Sequence, residues 1–317
     1  MVILFAFSVS LKMIQKFILF LFLVGSTSLL YCQEELSRYR DKVFSHVTKQ
    51  KNIVYSHRIP KGIKEKRYRL DLYRATQDTS LARPLIIWMH GGGFKFGSKK
   101  AKSIKIWSTD FARRGYVCAA INYRLSKNNP LKHFDVLLQS CYDAVQDVSR
   151  AIEFLKHHAT VYRIDTSRII LAGNSAGAII ALQAAYGNNA EFMTLLKKAD
   201  TAQTSLVDAA SLSAVINFWG AMFDTSWLRN ATVPIVSVHG KKDRVVPYRR
   251  SESLYGSYII HQKADSLQIP NQLKTYDRYG HELQKHFIPV LRSGATKRRW
   301  RQAGKFAAEF LFAEVMR

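Results

Sequence analysis

The chain predicts an α/β fold, with one mostly parallel sheet covered by helices on both faces. Short unbroken apolar runs such as Leu85-Ile86-Ile87-Trp88-Met89 read as strands buried on both sides. Between them lie segments whose apolar residues recur at three- and four-residue steps, the period of a helix packed along one stripe. No internal repeat or low-complexity linker interrupts this alternation over 317 residues, 47% of them hydrophobic. One large domain is therefore expected.

The N-terminal 32 residues stand apart. They contain no acid and two bases, Lys12 and Lys16, ahead of the apolar run Phe17–Val24. A short basic region, a short apolar region and a few small polar residues describe a secretory signal peptide. The apolar run is short for a membrane span, and the polar QEELSRYRDK follows at once. The expectation is export to the periplasm or outside the cell, with cleavage after Cys32 and residues 33–317 forming the single domain. Two alternatives stay open, an uncleaved N-terminal anchor and a lipid on Cys32, although Tyr31 is bulky for a lipidation site. Beyond the leader, Cys118 and Cys141 lie in apolar patterns and read as core fillers, with one bridge between them left open.

The strands follow in order. Leu70–Tyr73 is the first sheet-like segment, and Leu85–Met89 runs into His90-Gly91-Gly92-Gly93-Phe94. Three glycines at the end of a buried strand mean that the backbone turns unusually there, or that something approaches it closely. Val117–Asn122 is the next strand. A clear helix comes after it, with Leu137, Leu138, Cys141, Ala144, Val145, Val148, Ala151, Ile152 and Leu155 on one face. Ile169–Ala172 leads into a second, wholly apolar helix, and residues 185–210 suit a small helical insertion. Ala214–Phe218, Ile235–Val238 and the weaker Leu273–Tyr276 complete the strands. A last helix carries Ala303, Phe306, Ala307, Phe310, Leu311 and Val315. In such sheets ligands bind beyond the carboxyl ends of the strands, where the three glycines fall.

The junction after Ile169–Ala172 reads Gly173-Asn174-Ser175-Ala176-Gly177 between strand and helix. This is the strand–turn–helix context of a nucleophile elbow, in which the turn presents a serine hydroxyl and leaves room only for small residues two positions before and after it. A serine needs a base to take its proton. The expected chain order is serine, acid, histidine. Asp243 is the only acid in the loop His239–Pro247 that follows the strand at 235–238, and His281 lies in Tyr279-Gly280-His281-Glu282, with Gly280 expected to let that loop turn. His286 is the one rival base, while His133, His157, His158 and His261 read as surface residues. The N–H groups of Gly92, Gly93 and Ala176 are then candidates for an oxyanion hole, and His90 a brace for the glycine loop.

These residues resemble those of a secreted serine esterase of the α/β-hydrolase superfamily. The group in view includes hormone-sensitive-lipase-like carboxylesterases and bacterial feruloyl and acetyl-xylan esterases. The resemblance runs from Leu70-Asp71-Leu72-Tyr73 through HGGGF, INYRL, GNSAG and HGKKDRVVPY to YGHE. It implies the α/β-hydrolase fold, a central, mostly parallel sheet flanked by helices, with a small cap or none. It also implies cleavage of short acyl or carbohydrate-linked aryl and acetyl esters through an acyl-serine. A non-catalytic binding protein of the same fold and a peptidase of the superfamily are the alternatives. The first typically loses the serine or the histidine, and the second usually adds a large extra domain or an acidic anchor for the peptide amine.

The formal net charge is +25, from 48 bases and 23 acids, or +23 without Lys12 and Lys16. The bases are scattered, with local clusters at Lys61–Arg69 and Lys297–Arg301, and no nucleic-acid-binding signature accompanies them. A solvated basic surface with an affinity for acidic polymers or envelopes is expected, with a small-molecule or polymer-linked ester as the specific partner. No motif for a metal, a phosphate or a dinucleotide cofactor is present, so no cofactor is expected.

Overall fold

The computed structural model describes residues 38–198, 206–285 and 293–316. The leader with Cys32, the middle of the 185–210 insertion, and the rival base His286 lie outside the described residues.

Eight strands form one sheet: β1 (Val47–Val54), β2 (Arg69–Ala75), β3 (Arg83–Met89), β4 (Val117–Ile121), β5 (Ile164–Asn174), β6 (Leu212–Phe218), β7 (Ile235–Gly240) and β8 (Asn271–Tyr276). Their spatial order is β1-β2-β4-β3-β5-β6-β7-β8. β1 and β2 run antiparallel to their neighbours, and every other pairing is parallel. Chain order and spatial order part at β3 and β4.

Each expected strand is present and extends by up to a few residues beyond its apolar core. The exception is β4, which stops at Ile121, one residue short of the expected end. β1 was not expected. Its sequence VTKQKNIV is largely polar, and it sits at the sheet edge with four residues exposed and none fully buried, so it carries no apolar signal.

The alternation within strands sets two cores. Leu85, Ile87 and Met89 of β3 face one side with α2 (Phe134–His157) and α3 (Ala176–Tyr186). Ile86 and Trp88 face the other with α1 (Lys102–Ala112) and α6 (Gly294–Glu314). There Trp88 stacks on Trp107, ring centroids 5.4 Å apart, and Trp107 Nε1 donates to Trp300 O at 2.8 Å. Cys118 and Cys141 belong to opposite cores and are free thiols, so the sheet itself separates them. The insertion contributes a two-turn helix, α4 (Asn189–Leu196), opened by a capping box between Asn188 and Glu191. Its Phe192 packs against Tyr142 and Trp227 on the flank of α2. α5 (Ser257–Ser266) precedes β8.

Candidate active site

β5 ends at Asn174 and α3 begins at Ala176, so the entire turn is Ser175. Its backbone has φ 53° and ψ −125°, a conformation that costs a non-glycine residue on the order of 1–3 kcal/mol. The surroundings hold it there. Ser175 N donates to Phe218 O of the neighbouring β6 at 2.9 Å, and all of α3 is buried. The two flanking glycines are spatial necessities. A Cβ on Gly173 would lie 2.3 Å from Gly177 C, and one on Gly177 would lie 2.2 Å from Met89 O.

The structure brings the three predicted polar residues together. His281 Nε2 lies 2.9 Å from Ser175 Oγ, and His281 Nδ1 lies 2.8 Å from Asp243 Oδ2. A carboxylate only accepts, so Nδ1 carries the ring proton and Nε2 turns its lone pair to the serine. All three residues are buried. Asp243 Oδ1 accepts the N–H groups of Val245 at 2.8 Å and Val246 at 3.0 Å, which fixes the carboxylate plane. Burial pushes the Asp243 pKa up, but hydrogen bonds from His239 and His281 outweigh it and hold the carboxyl well below its ordinary value.

Gly280 does not turn its loop by a left-handed conformation, since its φ is −99°. Glu282 and Leu283 make the left-handed step instead, at φ 55° and 57°. The space at Gly280 is limited by Lys242 O, 3.0 Å from where a Cβ would stand.

His239 is a second histidine at the site, which the sequence reading missed. β7 runs two residues beyond its apolar stretch, so His239 lies inside the sheet, fully buried. Its Nε2 faces Val246 O at 3.3 Å and Asp243 Oδ2 at 3.5 Å, both acceptors, and therefore bears the proton. Its Nδ1 accepts from Ser257 Oγ at 2.8 Å, and Ser257 in turn accepts from Asn217 Nδ2 at 3.0 Å. Asn217 closes this network onto Ser237 Oγ and Gly220 N. The one signal in the sequence was a histidine four residues before the acid, in HGKKD.

The glycine loop lies on the far side of the serine. A Cβ on Gly91 would sit 3.2 Å from Ser175 Cβ, so this backbone is pressed against the nucleophile. Gly92 has φ 125°, and a Cβ there would meet Phe96 O at 2.3 Å. Gly93 has φ 59° and lies under the Leu131 side chain. Ala176 is the first residue of α3, where an amide has no carbonyl one turn back to bond. His90 Nδ1 donates to Gly91 O at 2.7 Å, and the ring stacks on Tyr123 at 4.3 Å, whose hydroxyl donates to His90 O. Burial lowers the His90 pKa to about 4, so the ring is neutral and braces the loop.

His133 and His157 are exposed and His158 half-buried, whereas His261 is a correction to the surface reading. It is buried on α5 and bonded to Asn271 Oδ1 at 2.5 Å, with its pKa lowered by burial to about 4. Among the described residues, no group of three or more His, Cys, Asp or Glu side chains is disposed to hold a metal ion. No helix among them is long and apolar enough to cross a membrane.

The sheet order, the strand–serine–helix turn and the position of the three polar residues beyond the strand ends decide the fold. The chain has the α/β-hydrolase fold. Residues 70–224 match the BD-FAE family model. Among solved structures, esterase 2 of Thermogutta terrifontis is 20% identical with a TM-score of 0.58, covering 83% of this chain and 93% of that one. A truncated carbohydrate esterase from gut microbiota is 18% identical with a TM-score of 0.54, covering 87% of this chain and 98% of that one. Among curated proteins, the "Probable carboxylic ester hydrolase LipM" of Mycobacterium tuberculosis is 28% identical over 53% of this chain and 34% of its own length. The chain spans less than half the length of the curated relatives it matches first.

Proposed function

We propose that this α/β-hydrolase cleaves carboxylic esters through an acyl-enzyme on Ser175. The observation that carries the reading is the hydrogen-bonded line Ser175 Oγ–His281–Asp243, with spacings of 2.9 and 2.8 Å. His281 Nε2 takes the hydroxyl proton as Oγ attacks the ester carbonyl, and Asp243 stabilises the imidazolium that forms. The carbonyl oxygen becomes an oxyanion facing the N–H groups of Gly92, Gly93 and Ala176. Collapse expels the alcohol, which receives the proton from His281. Water then repeats the sequence on the acyl-serine and releases the acid. The names of the BD-FAE family, the carbohydrate esterase and LipM point the same way.

An exposed apolar rim supports an ester with an aryl or acyl group reached from solvent. Phe96, Leu131, Phe134 and Val245 are among the few large hydrophobic residues left exposed; Phe96, Leu131 and Val245 stand on the loops following β3, β4 and β7, and Phe134 opens α2. Residues 1–32 act in this reading as an export leader, and N-terminal sequencing of the exported protein should find Gln33 first.

The central test is an organophosphate serine probe with a p-nitrophenyl ester assay. Ser175→Ala should abolish labelling and lower kcat by about 10⁶-fold. Labelling of the variant as strong as that of the wild type would end the assignment.

A further inference from the structure

Two basic clusters far apart in sequence have no part in the proposed chemistry, Lys61–Arg69 and Lys95–Lys102. The fold brings them together. A cavity of about 350 Å³ opens beside the glycine loop, and Lys66, Arg67, Arg69, Lys99 and Lys100 line it. The internal pairing leaves most of this charge uncompensated. Lys99 and Lys49 share the buried Asp71, and Arg69 pairs with Glu65. Lys66, Arg67 and Lys100 have no carboxylate within ion-pair distance among the described residues. The five lining cations together with Lys49, against Asp71 and Glu65, leave four positive charges at or next to one concave site. The remaining lining is amide and hydroxyl, from Asn52, Asn122 and Ser98, with no aromatic ring on which a nucleobase would stack.

The cavity shares a wall with the serine loop. Gly97 lines it, and a Cβ on Gly97 would lie 2.4 Å from Gly91 O, while Gly91 itself presses on Ser175. A group seated in the cavity therefore belongs to a molecule long enough to reach around that loop to Ser175. The Asn52 amide and the Ser98 hydroxyl beside cations that lack a carboxylate partner fit a sugar bearing a carboxylate or a sulfate. The +25 net charge of the chain draws such polymers from a distance. We propose that this cavity is a subsite for an anionic sugar unit, and that the esters cleaved at Ser175 are carried on an acidic polysaccharide. The second half of this statement rests on the ester-hydrolase reading, and the first half does not.

Affinity electrophoresis in gels containing polygalacturonate tests the subsite on the full chain. The triple variant Lys66→Gln/Arg67→Gln/Lys100→Gln should bind polygalacturonate about tenfold more weakly than the wild type, as the loss of three exposed ion pairs implies. Lys297→Gln/Arg298→Gln/Arg301→Gln removes the same charge from α6 and should leave binding nearly unchanged. Equal weakening by both triples would reduce the effect to diffuse surface charge and overturn the proposal. So would tighter binding of oligo-dT than of polygalacturonate with the same dependence on Lys66, Arg67 and Lys100. Dextran sulfate in a parallel gel distinguishes a sulfate from a carboxylate. For the substrate half, the pocket triple should lower kcat/KM about tenfold on acetylated polygalacturonate and leave p-nitrophenyl acetate hydrolysis unchanged, which also reports that it folds. Equal loss on both esters would overturn that half. A wild type inactive on every ester would instead overturn the ester reading, whatever the binding gels show.

Discussion

Asp243 and Asp147 are both buried carboxylates held by donors, yet the donors differ in kind. Asp147, on α2, takes Arg124 Nε at 2.9 Å, the Arg124 backbone N–H at 2.8 Å and Arg150 Nη1 at 3.1 Å. Arginine keeps its proton at any working pH, so this cluster is a fixed strut tying α2 to the loop after β4. Asp243 takes two backbone amides on one oxygen and two imidazoles on the other. An imidazole can gain and lose a proton near neutrality. Similar burial therefore builds a brace in one place and a group able to follow moving charge in the other. What separates them is the chemistry of the donor and the serine that lies beyond it.

The sharpest way to break this contrast is to neutralise each acid in turn. Asp243→Asn should lower kcat by about 10⁴-fold while leaving the fold intact, because the amide favours the wrong His281 tautomer. A loss of less than about tenfold in a p-nitrophenyl ester assay would remove Asp243 from that role. Asp147→Ala should do the reverse. It strands the Arg124 guanidinium and costs about 3–5 kcal/mol in urea unfolding, with kcat/KM per folded molecule unchanged.

Acidification probes two of the three buried histidines outside the Ser175–His281–Asp243 line. His90 and His261 have folded-state pKa values lowered to about 4, below the roughly 6.5 of an unfolded histidine. The unfolded chain therefore binds more protons between about pH 6.5 and 4, and stability must fall as pH falls through that window. The loss approaches about 3 kcal/mol for each histidine at pH 4. Urea midpoints measured at pH 7 and pH 5 check the slope, and His261→Gln should flatten it. For Asp243 the sign is opposite in origin, because its lowered pKa adds stability that is full above about pH 4 and lost only in stronger acid.

The smallest effect belongs to His239. Removing its contact with Asp243 Oδ2 by His239→Gln should cost about tenfold in kcat with little change in KM, the size of one hydrogen bond to a charged group. A shift of the acid limb of the kcat/KM profile would accompany it, since His281 would then be the one imidazole facing Asp243 Oδ2. An unchanged profile would make His239 a purely structural neighbour.

The amino-acid sequence by itself determined the sheet, the serine turn and the order of the three polar residues. Each is governed by local rules. A strand buried on both faces is a continuous apolar run, and a turn as tight as that at Ser175 excludes a Cβ at Gly173 and Gly177. Only the tertiary structure decided which loops meet in space. The polar edge strand β1, His239 at the end of β7, the burial of His261 and the joining of Lys66–Arg69 with Lys99–Lys100 all depend on contacts between distant segments. Those contacts are set by sheet order and helix packing, and no periodicity within a single segment records them.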